Sequence, residues 1–138
     1  MIAYVDSSVI LRLVLSQPDS LREWSRIRTA VTSRLAEVEC LRTIDRLRLK
    51  WGLDEVAAAT RREAVYGLLA ACEVVELNLS VLSRASQPMP TEIGTLDAIH
   101  LSTALLWREQ GEADLVMATH DAALSLAARA TGFRVVGA

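Results

Sequence analysis

Short apolar runs alternate along the chain with longer segments of helical periodicity. The apolar runs predict buried strands at residues 2–5, 30–32, 74–77, 115–119 and 133–136. The segments between them predict helices at 9–15, 20–27, 34–51, 55–71, 79–85, 96–107 and 122–131. Because strands and helices alternate, the pattern predicts an α/β fold with a short, mainly parallel sheet.

Residues with capping chemistry mark the ends of several predicted helices. Ser33, Asp54 and Thr95 each precede a periodic segment and are predicted N-caps. Gly52 and Gly132 follow periodic segments and are predicted to end them, since glycine adopts the left-handed conformation that terminates helices.

The predicted helix at 34–51 has two distinct faces. Positions on its apolar face are Ala36, Cys40, Ile44, Leu47 and Trp51. A second face carries Glu39, Arg42, Arg46 and Lys50. This second face has two interpretations, which both stay open: a solvated face with paired charges, or a carboxylate followed by a basic strip that follows a phosphate backbone.

The composition fits one globular domain over residues 1–138. Of its residues, 51% are hydrophobic and 23% charged, which excludes a disordered tail. The net charge of −2 argues against a protein that coats nucleic acid non-specifically. Cys40 and Cys72 are expected to be free thiols among apolar residues. No signal peptide and no membrane span are recognisable, so a cytoplasmic protein is expected.

Three acidic residues stand where helices are predicted to begin. Asp6 and Asp121 each follow an apolar strand, and Asp97 lies in the first turn of a helix that is apolar on nearly every side. Each has a local explanation, because a carboxylate is favourable near the free amides of a helix N-terminus. The alternative is that they share a metal ion. A histidine on the same apolar helix, His100, is expected to be a packed, half-buried residue.

The fold class favours the shared site. The strand-to-helix junctions of a parallel sheet lie at one edge, so Asp6 and Asp121 are expected to be neighbours if their strands are close. Carboxylates that converge without matching cations repel one another, and a divalent cation removes that conflict. Oxygen ligands select Mg²⁺ or Mn²⁺, and such sites suit hydrolysis of phosphodiester bonds.

The chain also resembles the PIN-domain proteins, and specifically the VapC-type ribonuclease toxins of bacterial and archaeal toxin–antitoxin pairs. The resemblance covers essentially the whole chain and is most specific at LDAIHL. Its motifs occur in the family's order as YVDSS at 4–8, TSRLAEVECLR at 32–42, LDAIHL at 96–101, ATHD at 118–121 and GFRV at 132–135.

This resemblance implies a PIN-like three-layer α/β/α sandwich and a metal-dependent endoribonuclease. It implies that Mg²⁺ or Mn²⁺ is bound by Asp6, Glu39, Asp97 and Asp121. Ser8 and Thr119 are expected to support these acids. It further implies an RNA substrate (a structured RNA such as tRNA or rRNA), a homodimer and inhibition by a VapB-like antitoxin. Arg42 and Arg46 are expected to contact RNA phosphates.

Two other functions remain open from the sequence. One is a catalytically inert PIN scaffold that only binds a partner protein. The other is a PIN nuclease that acts on other nucleic acid without an antitoxin.

Overall fold

The computed structural model describes residues 1–138, which form five strands and six α-helices. The strands are β1 (Ile2–Val5), β2 (Thr29–Ser33), β3 (Glu73–Val75), β4 (Val116–Ala118) and β5 (Val135–Val136). The helices are α1 (Ser7–Val14), α2 (Arg34–Trp51), α3 (Glu55–Ala70), α4 (Leu79–Ala85), α5 (Thr95–Glu109) and α6 (Ala122–Ala130).

The five strands form one parallel sheet in the order β3-β2-β1-β4-β5. Strand β1 is central, with Tyr4 opposite Val31 of β2 and Val5 opposite Ala118 of β4. All strands therefore end at the same edge of the sheet, and the two strands that precede Asp6 and Asp121 are direct neighbours.

Helices cover both faces of this sheet, as a three-layer α/β/α sandwich requires. Side chains of β1 alternate between the faces, because successive residues of a strand point in opposite directions. Ala3 and Val5 pack with α1, α2 and α3, while Tyr4 packs with α5 and α6. Helix α4 lies against α5 through a smaller cluster that contains Val81 and Ile99.

Helix α5 is buried along most of its length. Every residue from 98 to 105 is buried, which confirms the prediction made from its apolar sequence. This central position fixes Asp97 and His100 relative to the sheet.

The predicted caps are largely confirmed. The hydroxyl of Ser33 accepts from the amide of Leu35, and Asp54 accepts from Ala57. Gly52 ends α2 at φ 71°, a left-handed conformation that suits glycine. Thr95 is not the N-cap of α5: the carbonyl of Gly94 already accepts from Ala98 N at 2.9 Å, so Gly94 is the cap.

Two further predictions are wrong. Residues 20–27 do not form a helix, and only a short 3-10 turn occurs there, at Trp24–Arg26. The amide of Arg28 donates to Met1 O at 2.8 Å, which draws the chain beside β1 instead. Trp51 is 79% exposed, because it lies at the very end of α2, although Ala36, Cys40 and Ile44 on the same face are buried.

Both cysteines are free, with Cys40 buried and Cys72 partly buried. Burial raises the pKa of the Cys40 thiol to about 12, with a smaller contribution from the nearby Glu39 and Asp6 carboxylates. None of the helices combines the length and the apolar character that a membrane crossing needs.

Candidate functional site

Asp6 lies directly after β1 and is held by two side-chain hydroxyls. It is 3% exposed. Ser8 Oγ donates to Asp6 Oδ1 at 2.5 Å, and Thr119 Oγ1 donates to Asp6 Oδ2 at 2.7 Å. The amide of Val9 also donates to Oδ1, at 3.3 Å, so Asp6 caps α1 as well. The local and the shared-site interpretations of Asp6 are thus compatible.

Asp121 follows β4 and is linked to Asp6 through Thr119. Thr119 Oγ1, which donates to Asp6, accepts from the Asp121 amide at 2.9 Å. Asp121 Oδ1 accepts from Leu124 N at 2.8 Å and caps α6. The pairing of β1 with β4 therefore brings the two acids together at the sheet edge, as the fold class predicted.

Asp97 enters the same region from the first turn of α5. The N-cap residue, Gly94, has no side chain to cap this helix, and Asp97 lies in the first turn, where the helix dipole favours a carboxylate. The pKa of Asp97 is raised to about 6, mainly by burial and also by the carboxylates of Asp121, Asp6 and Glu39, while His100 opposes this increase. The side chain thus lies in a negative environment that favours the protonated acid.

Glu39 reaches the site from α2 and is bound to a buried histidine. His100 Nε2 lies 2.5 Å from Glu39 Oε1, and His100 Nδ1 lies 2.7 Å from the Tyr4 hydroxyl. His100 is 1% exposed and Tyr4 is fully buried, whereas the Glu39 side chain is 22% exposed. Burial is the main reason that the pKa of Tyr4 is raised well above its usual value.

The structure therefore corrects the expectation for His100. It is fully buried instead of half-buried, and each ring nitrogen has a hydrogen-bond partner, as expected of a satisfied histidine. Sequence reasoning missed its contact with Glu39, because the two residues are 61 positions apart. The only available signal was a polar ring one turn after Asp97 on an apolar helix.

Arg42 and Arg46 line a surface groove of about 300 Å³ that also contains Glu39. Ser7 of α1 and Leu96 of α5 also line this groove. Arg42 lies 3.3 Å from Asp45, and Arg46 donates to Thr43 Oγ1 at 3.0 Å. Both guanidinium groups are exposed, so the basic face of α2 continues outward from the acidic residues.

The four acids are the right type of ligand for a divalent cation, but their oxygens are not arranged around one point in this structure. All four donors are carboxylates, the ligand type that hard cations prefer, and three of them add to the effect of burial in raising the pKa of Asp97. No three His, Cys, Asp or Glu side chains are placed as ligands of one ion. Two of the acids are instead engaged by other groups, since Ser8 and Thr119 bind Asp6 and His100 binds Glu39.

Comparison with known proteins points to one family. A family model described as PIN domain matches residues 3–130 of the chain. Ribonuclease VapC46 of Mycobacterium tuberculosis is 38% identical over 104 residues, which are 73% of this chain and 72% of that protein.

Solved structures share the fold over nearly the whole length. The structure of FitAB bound to the IR36 DNA fragment has a TM-score of 0.71 at 15% identity, covering 97% of this chain and 93% of that chain. The structure of VapBC2 from Rickettsia felis, bound to a DNA fragment from their promoter, has a TM-score of 0.66 at 12% identity, covering 98% and 97%. The three-layer arrangement of helices around a parallel sheet is that of these proteins.

Proposed function

Because this chain belongs to the PIN-domain family and is related to its VapC ribonucleases, we propose that it is a VapC-type toxin that cleaves RNA endonucleolytically. In this proposal residues 1–138 form a single nuclease domain, and Asp6, Glu39, Asp97 and Asp121 are its catalytic acids. The observation that carries the proposal is the approach of these four acids, from two helices and two strand ends, without a neutralising Lys or Arg among them.

The four acids would hold Mg²⁺ or Mn²⁺. Carboxylate oxygens are the ligands that these hard cations prefer. A bound divalent ion supplies a water activated for attack on the phosphodiester and neutralises charge on the transferring phosphate.

The remaining residues of the site have supporting roles in this proposal. The hydroxyls of Ser8 and Thr119 hold both oxygens of Asp6 in fixed positions. Burial and the neighbouring carboxylates raise the pKa of Asp97, and a bound cation would favour its ionised form. Arg42 and Arg46 bind RNA phosphates along the groove that leads away from Glu39.

The proposed partners follow from the same family membership. The substrate is RNA, and a structured RNA such as tRNA or rRNA suits a protein whose net charge of −2 gives no general attraction to nucleic acid. The likeness to the VapBC2 structure supports a VapB-like antitoxin as the neutralising partner. The toxin itself is proposed to act as a homodimer in the cytoplasm.

Sequencing of RNA ends in cells tests this function. Wild-type protein and the Asp97→Asn variant are expressed briefly without antitoxin, at matched protein levels. The proposal predicts new 5′ ends at defined positions in a structured RNA with the wild type, together with slowed growth, and neither effect with Asp97→Asn. The same ends with both variants would refute the proposed site.

The two alternative functions give other outcomes in that experiment. An inert scaffold produces no new RNA ends and does not slow growth. A nuclease that acts on DNA leaves RNA intact and produces strand breaks in DNA.

A further inference from the structure

The hydrogen-bonded chain from Tyr4 through His100 to Glu39 joins the centre of the sheet to the candidate site. Tyr4 lies on β1, His100 on α5 and Glu39 on α2, so three separate elements contribute one residue each. Both distances in the chain are short, 2.7 Å at Nδ1 and 2.5 Å at Nε2. The Tyr4 and His100 rings also meet edge to face, with centroids 5.9 Å apart.

With Glu39 ionised and the His100 ring neutral, counting donors and acceptors assigns the hydrogens along Tyr4, His100 and Glu39. An ionised Glu39 carboxylate can only accept, so His100 Nε2 carries the hydrogen of that bond. In the neutral ring the other nitrogen, Nδ1, then accepts from the Tyr4 hydroxyl. Tyr4 thereby fixes the orientation and the tautomer of His100, and His100 presents one N–H to Glu39.

We infer that His100, oriented by Tyr4, is the positioning residue for Glu39, and that it holds this carboxylate ready for a divalent cation. The inference rests on the proposed function, because it takes Glu39 as a ligand.

A purely structural role for the Tyr4–His100–Glu39 hydrogen bonds does not explain why a partly exposed glutamate is one of the partners. A buried histidine needs a hydrogen-bond partner at each ring nitrogen, but any polar group of the core could serve as that partner. Here one partner is a partly exposed glutamate whose long side chain could otherwise extend into solvent from α2. His100 bonds only Oε1 of Glu39, so Oε2 takes no part in this hydrogen bond. The bond also fixes a flexible side chain before a ligand binds, which lowers the entropic cost of binding. Partners that orient a ligand in this way commonly determine metal affinity.

Three variants separate positioning from packing. His100→Phe keeps a ring of similar size but donates no hydrogen bond. His100→Gln keeps a side-chain N–H able to reach Glu39. Tyr4→Phe removes only the hydroxyl that bonds Nδ1. Their affinity for Mn²⁺ is measured by calorimetry on the metal-free proteins, and their thermal unfolding is measured separately.

We expect His100→Phe to weaken Mn²⁺ binding about 10-fold or more, the effect typical of removing an orienting partner, and His100→Gln to recover most of that loss. Tyr4→Phe should weaken binding by a smaller factor. In a Glu39→Gln background, His100→Phe should cause no further loss, because the residue through which it acts is already altered.

Several results would overturn the inference. One is wild-type affinity in a folded His100→Phe protein, and another is a His100→Gln protein that binds Mn²⁺ no better than His100→Phe. If His100→Phe does not fold, the other two variants decide. The inference would then be overturned if Tyr4→Phe bound Mn²⁺ with wild-type affinity while His100→Gln lost affinity for Mn²⁺. Nitrogen NMR of the metal-free wild type gives an independent reading: the hydrogen should be on Nε2 of His100, and a hydrogen on Nδ1 alone would contradict the assigned chain.

The proposed function fails in a different way. If wild-type protein binds no Mn²⁺ at all, both the metal site and the role of His100 are refuted. If the wild type binds Mn²⁺ and cleaves RNA while the His100 and Tyr4 variants bind it equally well, only the inference is refuted.

Discussion

At the scale of single residues, two of the four acidic positions of the candidate site have a dual role. Asp6 and Asp121 cap α1 and α6, and they also approach each other through Thr119. A sequence can show the capping chemistry, because a cap lies within three residues of its amide. It cannot show the second role, since Thr119 and Asp6 are 113 positions apart.

The surroundings of Asp97 disfavour its ionised form. Its pKa is about 6 in the folded protein against an ordinary value of 3.8, so the folded state binds the proton more tightly than the unfolded chain does. The protonated acid therefore contributes stability below about pH 4, and this contribution is lost as the pH rises through about 6. Metal-free protein should lose this stability within that window.

Asp97→Asn removes the ionisation and isolates its effect. In the presence of EDTA, we expect the free energy of unfolding of Asp97→Asn to rise relative to wild type between pH 4 and pH 7, as measured by urea denaturation. The half-exposed position of the side chain keeps the difference modest. Asp114→Asn, which changes an exposed acid outside the site, is the control and should show a constant difference. A constant difference for Asp97→Asn as well would contradict the raised pKa.

At the scale of elements, the periodicity of the sequence predicted most of the fold. The order of the strands and helices is confirmed except at residues 20–27, where only a three-residue 3-10 turn forms before Arg28 pairs with Met1 beside β1. The predicted strands at 115–119 and 133–136 are shorter in the structure, because only the residues that pair with a neighbouring strand belong to the sheet. Pairing partners cannot be derived from the local pattern.

Helix α2 offers a direct test of which part of its apolar face contributes to the core. Ile44 is 1% exposed, whereas Trp51 on the predicted face is 79% exposed. Ile44→Ala should lower the free energy of unfolding by about 2–5 kcal/mol, since it leaves a cavity. Trp51→Ala is the matched control and should change stability by less than about 0.5 kcal/mol. Chemical denaturation measures both, and similar losses for the two variants would show that the end of α2 is packed.

At the scale of the whole molecule, the sheet order determines where the site forms. With β1 in the centre and β4 beside it, the acids after both strands lie at one edge, and α5 and α2 add Asp97 and Glu39. The sequence predicted this edge in general, because parallel strands end on one side. The adjacency of β1 and β4 is a property of the folded topology, since more than a hundred residues separate these strands.

Cleavage of a purified structured RNA tests the central claim most directly. Wild-type protein is compared with Asp97→Asn and with Asp114→Asn in Mn²⁺ and in excess EDTA, after denaturation has shown that all three are folded. We predict cleavage by wild type and Asp114→Asn only with Mn²⁺, and a rate lower by about 100-fold or more for Asp97→Asn, as expected when a group that supports transition-state charge is lost. Cleavage by Asp97→Asn at the wild-type rate, or undiminished cleavage in EDTA, would contradict the account.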